Sequence, residues 1–301
     1  MNGRVRTNFE RFLECSSPRV PIQFYTQARG SSSSSPIALG AIEEEEVRKP
    51  RIVLNDIWSA CKNWSTVGLE VPLSLENFDS DVKQYYNPSL SAIQIFTIKP
   101  FSDDSRSSAI GIDGTETGSA ITDSDSNGKL QCLDAGDLDY LYFQYNEVER
   151  PFDRFPLTFK MADLAEEHTG LSSLTSSDLS PNSWISIAWY PIYPIPPVIG
   201  VDGISAAFLT YHLLKPNFPE TIGKDDKGNE QGESSTPEVL LPPFGAMTYK
   251  AFGNLWMMPG TSDYQNREMN EESADSWLRK RGFSHSDFNF FMSRKFYGGP
   301  Y

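Results

Sequence analysis

Cysteine and histidine are both scarce, three of each in 301 residues. Cys15, Cys61 and Cys132 are widely spaced and odd in number. That pattern argues against a disulfide framework and for a reducing compartment, cytoplasm or nucleus. No two cysteines lie at zinc-finger spacing, and neither H-E-x-x-H nor a calcium loop occurs, so no metal is expected. No run approaches the roughly 18 apolar residues of a membrane span. The opening M-N-G-R-V-R-T-N-F-E lacks the apolar centre of a secretory leader. Cations are outnumbered, 26 Lys and Arg against 40 Asp and Glu, for a net charge of -14. Such a surface repels phosphate backbones and anionic lipid at long range, so neither nucleic acid nor membrane is the expected partner. G-x-S-x-G is missing, so there is no sign of a nucleophile elbow. Gly111 to Gly118, G-I-D-G-T-E-T-G, lacks the lysine and the strand–helix setting of a phosphate loop. No cofactor is expected, and the chain leans away from being an enzyme.

Aromatics, by contrast, are abundant, at 13% of residues, and aromatic side chains dominate burial energetics. The densest stretch is 179–196, L-S-P-N-S-W-I-S-I-A-W-Y-P-I-Y-P-I-P. Trp184, Ala188, Tyr190 and Ile192 alternate with Ile185, Ile187, Trp189 and Tyr193. Both faces are apolar, which predicts an inner strand covered on both sides. Pro191, Pro194 and Pro196 are expected to end it, because proline has no ladder donor.

Further strands are predicted at 90–98, 140–145, 205–214 and 240–256, the last bending at Gly253. Tyr85-Tyr86-Asn87-Pro88 reads as a turn or strand end. Phe9, Phe12 and Leu13 predict a short helix with Asn8 as its cap. Helices follow at 52–64, at 157–168 with Gly170 as the residue after its end, and at 271–281, ended by Gly282. Ser284 and Asp287 have the spacing of a capping box before the apolar run 288–292. Strands 140–145, 184–193 and 205–214 are not separated by regular crossover helices. The predicted class is therefore α+β, a mainly antiparallel or mixed sheet of about five strands with three or four packing helices. One domain spans 1–301. Within it 27–50 is linker-like, and 293–301 is a loose tail. Segments 102–128 and 217–238 are acidic insertions, too polar to offset their ordering entropy.

Several stretches resemble a plant-specific family of unknown function, domain of unknown function 789. They are N-F-E-R-F-L-E-C, D-I-W-S-A-C-K-N-W-S, Q-Y-Y-N-P-S-L-S-A-I-Q-I-F, Y-L-Y-F-Q-Y, D-L-S-P-N-S-W-I-S-I-A-W-Y-P-I-Y, F-L-T-Y-H, L-P-P-F-G, A-D-S-W-L and D-F-N-F-F. They fall in this order between residues 8 and 291, and the acidic insertions lie outside them. The resemblance implies a plant source and a single domain, and it brings no activity, cofactor or catalytic residue.

Three histidines are the available conventional bases. His212 stands beside Tyr211 in a predicted strand, with Thr210 near; a satisfied core histidine and a pocket residue are both consistent with that place. His168 ends a helix, where a capping role fits, and His285 sits in the capping-box turn. The candidate pocket or groove comprises His212, Tyr211, Trp189, Tyr190 and Tyr193, with the proline-rich exit at 193–197 suited to peptide docking. Thr122, followed by Asp125, is a candidate phosphorylation site. The basic clusters 279–281 and 294–297 are the places where nucleic acid could bind, although charges ending a helix complement its dipole equally well. The expectation is a non-catalytic protein-binding or adaptor module with regulatory disordered loops and an unidentified protein partner. Small-molecule binding or catalysis near His212, and weak nucleic-acid binding, are the alternatives.

Overall fold

The computed structural model describes residues 6–27, 47–75, 81–100, 139–192, 205–218, 236–251, 253–257 and 260–295. The insertion at 102–128, Thr122, Cys132, Tyr193 and most of 217–238 lie outside the described residues.

The α+β class holds. An antiparallel sheet of six strands runs β10 (Gly245–Tyr249), β8 (Ala207–Leu213), β7 (Trp184–Ile192), β5 (Val82–Thr97) and β4 (Leu69–Leu73). The sixth, β6 (Tyr140–Asn146), pairs with β5 beyond the end of β4. Two short ribbons join β1 (Arg19–Pro21) to β9 (Glu238–Leu240), and β2 (Gln23–Gln27) to β3 (Val47–Arg51). The ends of the linker-like 27–50 are thus strand, and 28–46 lies outside the described residues.

β7 is covered on both faces, as its two apolar stripes predict. Ile185, Ile187 and Trp189 belong to the core under α1 (Asn8–Cys15), α2 (Leu54–Ala60), α3 (Lys62–Val67), α4 (Leu157–Glu167) and α5 (Gly170–Ser173). Trp184 and Ala188 belong to a second core under α6 (Asp263–Lys280) and α7 (Ser286–Lys295). The sheet is therefore the middle layer of three, and apolar transfer on each side holds it there. Gly245 lets α6 approach: a Cβ there would stand 2.9 Å from the Ala274 backbone nitrogen.

Several expectations are corrected. Pro88 does not end a strand; β5 runs through it for 16 residues. β4 reaches only Tyr86 and β6 begins only at Ala92, so residues 87–91 have neither of these strands alongside. The proline falls in that gap, where a missing donor is tolerated. Pro191 likewise stays inside β7, opposite Tyr86. β10 stops at Tyr249 because Lys250 takes φ 56, a left-handed conformation rare outside glycine; Gly253 lies in the following turn.

The cap of α1 is Thr7, which forms a reciprocal capping box with Glu10. Asn8 instead spends its side chain on the Ser74 and Leu255 backbones. The helix predicted at 52–64 divides into α2 and α3 at Cys61. Gly170 starts α5, and the Tyr142 hydroxyl lies where its Cβ would be. α6 begins at Asp263, earlier than predicted, and α7 carries residues 293–295 of the expected tail. No helix among the described residues is long and apolar enough to cross a membrane.

Candidate functional site

His212 is a core histidine. Its Nδ1–H donates to the Leu241 carbonyl at 2.8 Å, which leaves Nε2 to accept from Thr210 Oγ1 at 2.8 Å. Thr210 Oγ1 in turn accepts from Trp189 Nε1–H at 2.9 Å. Every polar atom of the trio is used, and all three residues are buried. Trp189 packs in the core under α1 to α5, whereas Tyr211 packs on the opposite face of the sheet. The structure thus does not bring His212, Tyr211 and Trp189 around one hollow. Tyr190 does reach one, at the other end of β7.

There a groove of about 610 Å³ opens on the face that α6 and α7 cover only in part. Its floor is a row across four strands: Asn87, Tyr190, Ala207 and Tyr249. Tyr190 and Tyr249 flank the small Ala207, and the missing side-chain volume makes the hollow. Ser89 lies one row further in. One wall is the segment around the short 3-10 turn Pro151–Asp153, with Phe152, Arg154, Phe155 and Pro156; Phe152 is fully exposed. The other wall is Phe290 and Phe291 of α7, whose rings stand 5.6 and 5.7 Å from Tyr249. Among the described residues two cations, Arg154 and Lys250, line the groove, and no carboxylate does. A second hollow, about 490 Å³ beside α2, α3 and α4, holds both Lys62 and Glu166 and so offers neither sign.

Beneath the groove a buried polar chain joins its two walls. Arg154 bonds Asp287 through both terminal nitrogens, at 2.6 and 2.7 Å. Asp287 accepts the Ser91 hydroxyl proton at 2.5 Å. Ser91 has one proton, so the 2.8 Å contact to His285 Nε2 must be a donation from the ring. Nδ1 then accepts from the Tyr211 hydroxyl at 2.8 Å. Serine, histidine and aspartate are present, yet a nucleophilic triad needs the reverse direction, the base taking the serine proton and the acid holding the histidine. Here the aspartate touches the serine, and Ser91 is fully buried. The chain is a bracket that fixes α7 and the Arg154 segment to the sheet.

The expected capping box is corrected accordingly, because Asp287 goes to Arg154 and Ser91. Sequence reasoning placed His285 in a turn and missed its partners. The S-x-x-D spacing hid them, since it explained Asp287 locally. His168 does cap α4, its ring 4.8 Å from Phe143.

Burial pushes the pKa of both His212 and His285 down to about 4. Each folded value lies below the ordinary value near 6.5. Between these limits the unfolded chain binds more protons, so stability rises with pH and is lost as pH falls from about 6.5 to about 4. Each ring contributes a slope of up to about 1.4 kcal/mol per pH unit. Urea midpoints should therefore fall steadily from about pH 7 to about pH 5. An unchanged midpoint over that range would mean that both rings take up protons in the fold as readily as in the unfolded chain.

The arginines of the basic clusters are engaged locally, and 296–297 lie outside the described residues. Arg279 pairs with Asp275, and Arg281 stacks 4.1 Å over Trp277 while bonding Asn182. Arg294 lies 5.6 Å over Phe290. Among the described residues no His, Cys, Asp and Glu cluster suits a metal ion. No curated protein and no solved structure matches the chain. A family match does exist: it spans residues 7–291, from the first helix through Phe291 of the groove wall, and by it the chain belongs to the family described as protein of unknown function (DUF789).

Proposed function

We propose that the protein is a non-catalytic binding module that takes an extended, proline- or aromatic-bearing segment of a partner protein into the groove at Ala207. One observation carries the reading: about 610 Å³ of hollow walled by exposed Phe152, Phe155 and Phe290 and by Pro88, Pro156 and Pro191. Exposed aromatic and proline surface of this kind suits polyproline-type segments, whose ordering entropy is already low. The proton direction at Ser91 supports a binding role over a catalytic one. The free thiols of Cys15 and Cys61 support a cytoplasmic or nuclear setting.

The test is to select peptides against the protein from a display library and titrate them into Ala207→Leu. Leucine at the centre of the floor row fills the hollow. Affinity should fall at least about tenfold, which is about 1.4 kcal/mol. Selected peptides that bind the variant as well as the parent would place their site elsewhere. A second reading, a small amphipathic ligand, is favoured by the volume, which lies inside the roughly 300–1,000 Å³ of small-molecule sites.

A further inference from the structure

We infer that α4 packs against the α4 of a second copy of the chain, antiparallel across a two-fold axis, and that the protein thereby forms a weak dimer, independently of the groove at Ala207. The residue pattern points to it first. Leu157 and Met161 bury one side of α4 in the core. A surface helix packed in this way should be polar on its other side. Here Phe159 is 58% exposed, and it lines the hollow of about 490 Å³ together with Ala162, Ala165 and Glu166. These four residues share one open side, with a large ring at its start and two alanines further on.

A helix that pairs with its own copy across such an axis needs a small side chain at the position mirrored by each large one. With the axis between residues 160 and 161, Phe159 of either copy falls on Ala162 of the other. The hollow that Ala162 and Ala165 leave, backed by Trp58 and Met161, receives the ring. Charge agrees with this direction. The first turn of α4 carries no acid, whereas Asp163, Glu166 and Glu167 are all exposed along its second half. Antiparallel packing lays that acidic half beside the N-terminus of the other helix, the positive end of its dipole, and keeps the two acidic halves apart. Parallel packing would stack them. Area sets the strength. The exposed parts of Phe159 and of Phe152 and Phe155, which precede it, come to roughly 400 Å² at about 200 Å² per aromatic side chain. A standard interface hides about 800 Å² on each partner, so this dimer exchanges, with half-association in the range of roughly 10–100 µM.

The test is sedimentation of the full chain from about 1 to about 300 µM. The weight-average mass should climb from one chain toward two. Phe159→Asp should weaken association at least about tenfold. Its carboxylate would stand in the first turn of α4, where the dipole favours it, so the fold is kept. Ala162→Arg, at an exposed position, should do the same by filling the hollow. A parent that stays a single chain at about 300 µM would overturn the dimer. A dimer that tolerates both variants would overturn it as well, because its contact would lie elsewhere. Growth beyond two chains would also overturn it, since a closed two-fold contact stops at two. Phe159 does not line the groove. Failure of the dimer therefore leaves the peptide reading standing, and peptide selection decides that reading separately.

Discussion

Asp287→Ala should destabilise the protein by about 3–5 kcal/mol, the range for removing one partner of a buried ion pair. The Arg154 and Asp287 side chains are 3% and 9% exposed. Truncating the acid strands a guanidinium in low dielectric and takes away the acceptor of the Ser91 proton. The opposite change should be mild. Arg154→Met together with Asp287→Leu replaces the pair by apolar groups of similar size, and such exchanges are often neutral or stabilising. Urea unfolding of Arg154→Met, Asp287→Leu and the double variant, read as a double-mutant cycle, checks this. A double variant as unstable as Asp287→Ala would show that the charge pair is not the source of the loss. Because the pair ties one groove wall to the other, Asp287→Ala should also weaken peptide binding in whatever fraction remains folded.

Phe12→Ala should cost a similar amount, about 3–5 kcal/mol, by leaving a cavity that a packed core cannot close. Phe12 is fully buried on α1. Its ring stacks on Phe208 at 4.0 Å and meets Tyr86 and Trp189 edge-on at 5.3 and 6.0 Å. Phe208 continues the cluster to Trp256 at 4.9 Å. The near-ultraviolet circular dichroism of the cluster should diminish with the stability. Phe152→Ala is the control: the ring is fully exposed, so the unfolding free energy should change by less than about 0.5 kcal/mol. Equal losses for the two variants would contradict the placement of α1 on the sheet.

What could be read from the sequence was whatever is local and apolar. The two stripes of 184–193 announced a doubly covered strand, and Phe9, Phe12 and Leu13 announced α1. What escaped was polar or non-local. The early turns of α6, Y-Q-N-R-E-M-N at 264–270, show no apolar period because none of these residues is buried; burial falls on Asp263 before them and on Glu271, Ala274 and Leu278 after. Pro88 read as a stop because the strand gap that tolerates it is a property of the sheet. Asp287 read as a cap because its partner Arg154 lies 133 positions away. The groove was legible only in part: Tyr190 was singled out, but Ala207 and Lys250 gain meaning only when four strands align them. His212 offered the opposite lesson. A histidine between tyrosine and leucine invites a chemical reading, and the fold spends both its nitrogens on structure.

Asn8 donates a hydrogen bond to the Leu255 carbonyl, 247 positions further along the chain. That span has a consequence for synthesis on the ribosome. At roughly 5–20 residues per second, the first helix waits on the order of 10–50 s before the backbone that secures it has been made. For most of that delay Phe9 and Phe12 lack Phe208, which packs against both rings in the finished core. The nascent chain is thus open to aggregation and to chaperone capture at this helix until Leu255 has been made.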